Sequence, residues 1–175
     1  MTAQEKYTLW RDQVPAGTPI AQELADLSGN YREIQARFGA DLTFGTAGLR
    51  GIMGAGTDRM NIYTVRRAAL AYGQYIKNAD LPDTCAIAYD TRNNSRLFSE
   101  TCAAALAEVG IHVYLYPNAA PTPMLSFAVR ALACQAGGIS RQRSPRRNAV
   151  RRIAVFFSSS SMSSAFRRIW ATVLL

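Results

Sequence analysis

Two stretches of this chain combine residue types and spacing suited to holding a phosphate or another oxyanion. In the first, glycines at positions 45, 48, 51, 54 and 56 surround Thr46 and Arg50. Glycine at that density lets backbone amides come close to an anion, while a hydroxyl and a planar guanidinium add directed donors. The segment is not a Walker A loop, because no Gly-Lys-Ser/Thr follows, and its spacing differs from the Gly-x-Gly-x-x-Gly of dinucleotide-binding turns. It is also too short and too poor in proline for a triple helix. A tight turn between a helix and a strand is the other reading of the same residues. The second stretch is Asp90-Thr91-Arg92-Asn93-Asn94-Ser95, which follows the apolar run CAIAYD. The carboxyl end of a strand is where open α/β sheets bind ligands. The alternative is a solvated turn with an internal Asp–Arg pair, in which Ser95 caps the next helix.

Other polar or reactive residues carry less. Asn118-Ala-Ala-Pro-Thr-Pro reads as a rigid turn with a structural role, and His112, the single histidine, lies in an apolar strand as a core or edge residue. Cys85, Cys102 and Cys134 form no Cys-x-x-Cys and no metal-ligand spacing, so they read as reduced thiols packed as small core residues.

The elements that must position these residues follow from periodicity. Ile20, Leu24, Leu27, Tyr31, Ile34 and Phe38 make one helical stripe over residues 19–38, with Gly29 weakening the helix but not abolishing it. A loop of unusual backbone geometry spans 42–56. A helix capped by Thr64 follows, with Val65, Ala69, Tyr72 and Ile76 on its apolar face. Next come a buried strand (Cys85 to Asp90), a helix marked by Phe98, Cys102, Ala105 and Val109 and closed by Gly110, and a strand over Ile111 to Tyr116. Thr122 is expected to cap a helix carrying Leu125, Val129 and Leu132, with Pro123 in its first position, before the apolar approach CQAGGI. This βαβαβ order predicts an α/β fold, a mixed and mostly parallel sheet between helices. An apolar content of 49% supports a real core.

The pattern ends near Ile139. Of the 20 basic and 12 acidic residues, eight arginines and no acid lie from Gly138 onward, so residues 1–137 are electrically balanced. The high isoelectric point therefore belongs to the tail and does not mark a nucleic-acid face on the folded part. RRIAVFF could form a strand and SAFRRIWATVLL an amphipathic helix, neither with an evident partner, which makes IAVFF an aggregation hazard. No stretch reaches the roughly 18 to 20 apolar residues of a membrane span, and MTAQEKYTLWRDQ lacks the apolar centre of a secretory leader, so a soluble cytoplasmic protein is expected.

FGTAGLRGIMGAGTDRMNIYTVRRAALAYGQYI, AIAYDTRNNS and PNAAPTPMLSFAVRALACQAGG together resemble the first domain of the α-D-phosphohexomutases, over about Tyr7 to Gly137. The likeness is greatest to the phosphoglucomutase and phosphopentomutase branch with a helical amino terminus. The resemblance implies a three-layer α/β/α domain, with residues 1–40 as a helical extension, 41–139 as an incomplete first domain and 140–175 as a non-family tail. It also implies an isomerase of carbohydrate metabolism, an intramolecular phosphotransferase acting on hexose or pentose phosphates. The family works through a phosphoserine, a sugar bisphosphate and magnesium bridged to aspartates of a second domain.

By position, Thr46 and Arg50 match the loop beside the phosphoserine, and Asp90, Arg92 and Ser95 match the family's Asp-x-Arg-x-x-Ser strand end. These five residues are expected to frame the active site. The departure lies at the nucleophile. Where Thr-Ala-Ser-His-Asn-Pro is expected the chain reads GGISRQRSPRR, and the serine's place falls near Arg143, with Ser140 and Ser144 close by. The metal, sugar-recognition and distal phosphate loops have no counterpart in the sequence. An amino-terminal mutase fragment, inactive by itself and with no catalytic residue or metal ligand of its own, is therefore expected. No specific nucleic-acid or membrane partner is expected, although the arginines could hold polyanions non-specifically. A frameshift or damaged gene, a genuine basic tail and a folded remnant would each produce such a change of composition. In each case the first domain's sheet is expected to have an uncovered edge near residue 139.

Overall fold

The computed structural model describes residues 1–45, 48–78, 82–134, 136–143 and 152–158. Helix α1 (Ala3–Gln13) starts at a capping box in which the Thr2 hydroxyl accepts from the Glu5 amide and the Glu5 carboxylate accepts from the Thr2 amide. Residues 19–38 form two helices, α2 (Pro19–Asp26) and α3 (Tyr31–Phe38), where one was expected. Gly29 takes a left-handed φ of 78° and Asn30 caps α3 through the Glu33 amide, so the glycine ends a helix instead of softening it. The break also turns Tyr31 out of the predicted stripe, leaving it exposed. Tyr7, Leu24, Leu27, Ile34 and Phe38 close a small core of their own. Trp10 joins this core to the rest of the chain, edge-on to both Phe38 and Tyr63.

The glycine-rich segment is largely a hairpin, a correction to the loop expected there. β1 (Phe44–Gly45) pairs antiparallel with β2 (Gly48–Ile52). Among the described residues of this segment, positive φ is confined to Gly54 and Gly56. Beyond them, buried Asn61 gathers the chain. Its amide nitrogen donates to the Gly54 and Gly56 carbonyls at 2.9 and 3.0 Å, while its Oδ1 accepts from the Tyr63 and Thr64 amides at 3.1 and 3.0 Å. Asn61 thus occupies the capping position of α4 (Ile62–Asn78), and Thr64 reciprocates by accepting from the Asn61 amide. Thr64 is a partner in the cap, not the cap itself.

The α/β part follows with β3 (Thr84–Tyr89), α5 (Ser95–Glu108), β4 (His112–Leu115), α6 (Thr122–Ala131), β5 (Ala136–Arg143) and β6 (Arg152–Ser158). Gly110 closes α5 with a φ of 80°, as its position predicts. Thr122 does not cap α6. It is the first helical residue behind Pro121, and that end has no side-chain cap hydrogen bond. The strands form one mixed sheet in the order β1-β2-β6-β5-β3-β4. Its parallel part is β5-β3-β4, and β6 runs antiparallel to both β5 and β2.

Alternation along β3 separates the layers. Cys85 and Ile87 face α4 and α5 together with Leu49, Tyr72, Phe98 and Leu106. Ala86 and Ala88 face α6 through Leu125 and Ala128. The three-layer α/β/α arrangement is therefore present. Where α4 packs on α5, the Gly73 backbone lies against the Val109 side chain, and a Cβ there would collide with its methyl Cγ2. The segment RIAVFFS, expected to lack a partner, is β6 and has a paired strand on each side. The edge expected near residue 139 is accordingly occupied. SAFRRIWATVLL lies outside the described residues.

Replacing Asn61 with Ala should remove the α4 cap and leave buried carbonyls of Gly54 and Gly56 without their donor. The expected loss is about 2–4 kcal/mol of unfolding free energy, measured by urea denaturation.

Candidate functional site

Asp90 follows β3 directly, so the strand's paired, buried backbone fixes where its carboxylate starts. Asp90 Oδ1 accepts from the Arg92 amide at 3.2 Å and from the Ser95 hydroxyl, while its Oδ2 lies 3.6 Å from Arg92 Nε. Asn94 takes the left-handed conformation at φ 65° and stands at the N-cap of α5 without a capping hydrogen bond from its side chain. Asparagine is among the few non-glycine residues that adopt this geometry readily. Ser95 is therefore the first residue of α5 and not its cap, and it is fully buried. Its hydroxyl holds the Asp90 carboxylate back against the helix start. Arg92 stays largely solvent-facing, in a pairing of the exposed kind that contributes little stability but leaves guanidinium donors available.

The structure thus brings Asp90, Arg92 and Ser95 together. The Asn94 side-chain amide donates to Met53 Sδ at 3.8 Å, joining this loop to the end of the glycine-rich segment. Arg50 is exposed on β2, paired with Ala154 of β6. Strands β6 and β5 lie between β2 and β3, so Arg50 and Asp90 are separated by roughly 14 Å of sheet. Thr46 lies outside the described residues. Ser140 is a β5 position opposite Tyr89, Arg143 ends β5 opposite Arg152, and Ser144 lies outside the described residues.

Three supporting residues carry no motif that singles them out in the sequence. Asn61 and Asn94 act through backbone geometry. Glu23 reaches across from α2, where its Oε2 accepts from the Ala55 amide at 2.8 Å and from Arg37 at 3.1 Å, binding the helical lobe to the glycine-rich segment. The available signal for Asn94 is the Asn-Asn-Ser sequence at a strand-to-helix turn.

A magnesium site does not fit these residues. Among the described residues no three His, Cys, Asp or Glu side chains gather as a ligand set, and the Asp90 carboxylate is already engaged by Ser95 and Arg92. His112 is exposed on β4, edge-on to Tyr114 with ring centroids 4.6 Å apart, an edge position as expected. All three cysteines are buried and free. Burial, with a smaller contribution from Cys134, pushes the Cys85 thiol up to about 12. Burial also raises the Cys102 and Cys134 thiols.

A polar loop at the carboxyl end of a strand in a three-layer α/β/α sheet is where open α/β domains place their ligands. Likeness to known proteins identifies the domain. The family described as Phosphoglucomutase/phosphomannomutase, alpha/beta/alpha domain I matches residues 41–141, and the chain belongs to that family. It is 43% identical over 100 residues to a phosphoglucomutase of Staphylococcus haemolyticus, covering 57% of this chain and 18% of that protein. A phosphoglucomutase of Staphylococcus saprophyticus is 43% identical over 105 residues, covering 60% and 19%. A crystal structure from Thermus thermophilus, described as a phosphomannomutase, superposes with a TM-score of 0.63 at 26% identity, covering 78% of this chain and 30% of that one. The chain thus spans about a fifth of the length of the curated relatives. No helix among the described residues is long and apolar enough to cross a membrane.

The cysteines give a test of the core beneath the site. The native protein should resist a disulfide reagent at pH 8 and react fully in denaturant. The raised Cys85 thiol keeps its proton in the folded state, whereas the unfolded thiol loses its own near pH 9. Its contribution to stability is therefore complete below about pH 8 and falls as pH rises toward about 12, which alkaline denaturation curves of wild type and Cys85→Ala should show.

Proposed function

We propose that this chain supplies the phosphate-framing part of a sugar-phosphate mutase's first domain and does not interconvert sugar phosphates by itself. On this reading Arg92, on a loop fixed by Asp90 and Ser95, offers guanidinium donors to a substrate phosphate, and Arg50 with Thr46 offers others from the hairpin. Catalysis of phosphoryl transfer is largely positioning and charge neutralisation, which suits these residue types. The observation that carries the inactivity is local. Where the family turns into its Ser-His-Asn-Pro loop, Ile139 to Arg143 continue as β5 and pair with β6. No serine followed by histidine occurs anywhere in the sequence, so no side chain here takes the nucleophile's role. No step is assigned to magnesium or to a sugar bisphosphate, and the sugar preference, hexose or pentose, belongs to the family as a whole.

Two measurements on the purified chain test the two halves of this reading. A coupled assay supplied with glucose 1-phosphate, a bisphosphate activator and magnesium should give no glucose 6-phosphate above the blank. Product that depends on the protein would overturn the inactivity. Titration with glucose 1-phosphate should shift the NMR amide signals of residues 90–95, with at least about threefold weaker binding in Arg92→Gln. Unshifted signals there would overturn the framing role.

A further inference from the structure

Asn94 and Met53 lie 41 residues apart in the sequence, and the Asn94 side-chain amide donates to Met53 Sδ at 3.8 Å. The two partners are held very differently. Met53 has a fixed backbone, because it forms an isolated parallel bridge with Met60. On its two sides the Ile52 carbonyl accepts from the Met60 amide at 2.7 Å and the Gly54 amide donates to the Met60 carbonyl at 3.2 Å. Met60 is fully buried, and the Met53 side chain packs against the main core while staying partly exposed.

Asn94 is exposed and belongs to the turn Arg92–Ser95, which the Ser95 amide closes by donating to the Arg92 carbonyl at 3.1 Å. An asparagine before a helix ordinarily accepts, through its side-chain oxygen, from an amide of the first turn. Asn94 makes no such bond. Its φ of 65° goes with a side chain directed to the thioether, while its backbone carbonyl still accepts from the Phe98 amide at 2.9 Å. A thioether is a weak acceptor, so the value of this contact lies in placement more than in stability. Everything downstream of Asn94 depends on that placement. The left-handed residue turns Ser95 inward, the Ser95 hydroxyl donates to Asp90 Oδ1, and Asp90 Oδ2 lies 3.6 Å from Arg92 Nε.

We propose that Met53 is a positioning residue, whose thioether holds Asn94 and thereby keeps the Arg92–Ser95 turn in the conformation that presents Arg92 to a substrate phosphate. This rests on the framing role proposed for Arg92. Met53 carries no charge and need not touch the ligand. Its contribution is to restrict a surface turn from a base that is itself tied into the fold, so that fewer loop conformations are lost when a phosphate binds.

NMR relaxation of the full chain without ligand tests the tether. In the wild type the amides of Arg92–Ser95 should show heteronuclear NOE values as high as those within α5. Met53→Leu keeps the apolar packing and removes the acceptor, so the values for Arg92–Asn94 should fall while the melting temperature stays near that of the wild type. Met53→Gln supplies a carbonyl acceptor on a side chain of similar reach and should restore them. Asn94→Gly retains access to the left-handed backbone but has no amide to donate, and in that background Met53→Leu should have no further effect. Met53→Leu should bind glucose 1-phosphate about threefold more weakly than wild type, and Met53→Gln as wild type does. The proposal is overturned if Met53→Leu leaves the turn as ordered as in the wild type, if Met53→Gln fails to restore it, or if Met53→Leu loosens the Asn94→Gly protein further. Should glucose 1-phosphate leave residues 90–95 of the wild type unshifted, the framing role fails, and the relaxation measured without ligand still decides the tether.

Discussion

Everything in the sheet depends on the two edges of β6 both being used. Within the sheet the β1–β2 hairpin is hydrogen-bonded to the parallel part through this strand, which pairs with β2 on one side and with β5 on the other. A strand interior to a sheet must place every backbone N–H and C=O, and each one left unpaired away from water costs about as much as a lost hydrogen bond. The register that satisfies those groups also decides which side chains become neighbours. Arg50 is level with Arg141 because Ala154 is bonded to both their strands. A backbone requirement has thus brought level two positions that are far apart in the chain.

A second constraint holds the amino-terminal helices to this sheet. It consists of a few polar contacts made at backbone atoms. Asn61 binds two glycine carbonyls, Glu23 binds the Ala55 amide, and Arg37 both pairs with Glu23 and accepts the Asp58 amide through its carbonyl. Thr57 adds a bond to the Ala40 carbonyl at 2.7 Å. The loop between β2 and α4 is therefore fixed from both sides, which gives the hairpin carrying Arg50 a firm base. The apolar contacts of Trp10 with Phe38 and Tyr63 work in the same direction.

Much of the α/β part was legible from residue types alone. The apolar run CAIAYD is β3 to within a residue, Gly110 ends α5, and the thiols lie in the core, because burial on both sides of a strand and left-handed helix ends leave plain signatures in composition. What was not legible was decided by tertiary contacts. Gly29 divides a helix whose apolar stripe runs on unbroken, since periodicity records a face but not an interruption. Thr64 yields its capping position to Asn61, which stands just before the helix and whose Oδ1 accepts from the Tyr63 and Thr64 amides while its amide nitrogen donates to two loop carbonyls. At the site, Asp90, Arg92 and Ser95 were identifiable as a group. The inward turn of Ser95 was not, because it depends on the left-handed Asn94 before it. The partners of β6 could not be read at all, since antiparallel pairing across a sheet leaves no local pattern in either strand.

The absence of a side chain at Gly73 has a reach beyond the helix that contains it. Its bare backbone admits the Val109 methyl group, so the spacing between α4 and α5 is set by a carbon that is not there. Helix α5, whose far end this valine follows, begins at Ser95, the residue whose hydroxyl donates to the Asp90 carboxylate. A methyl added at position 73 would meet the Val109 side chain, so the valine or the helix end carrying it must give way.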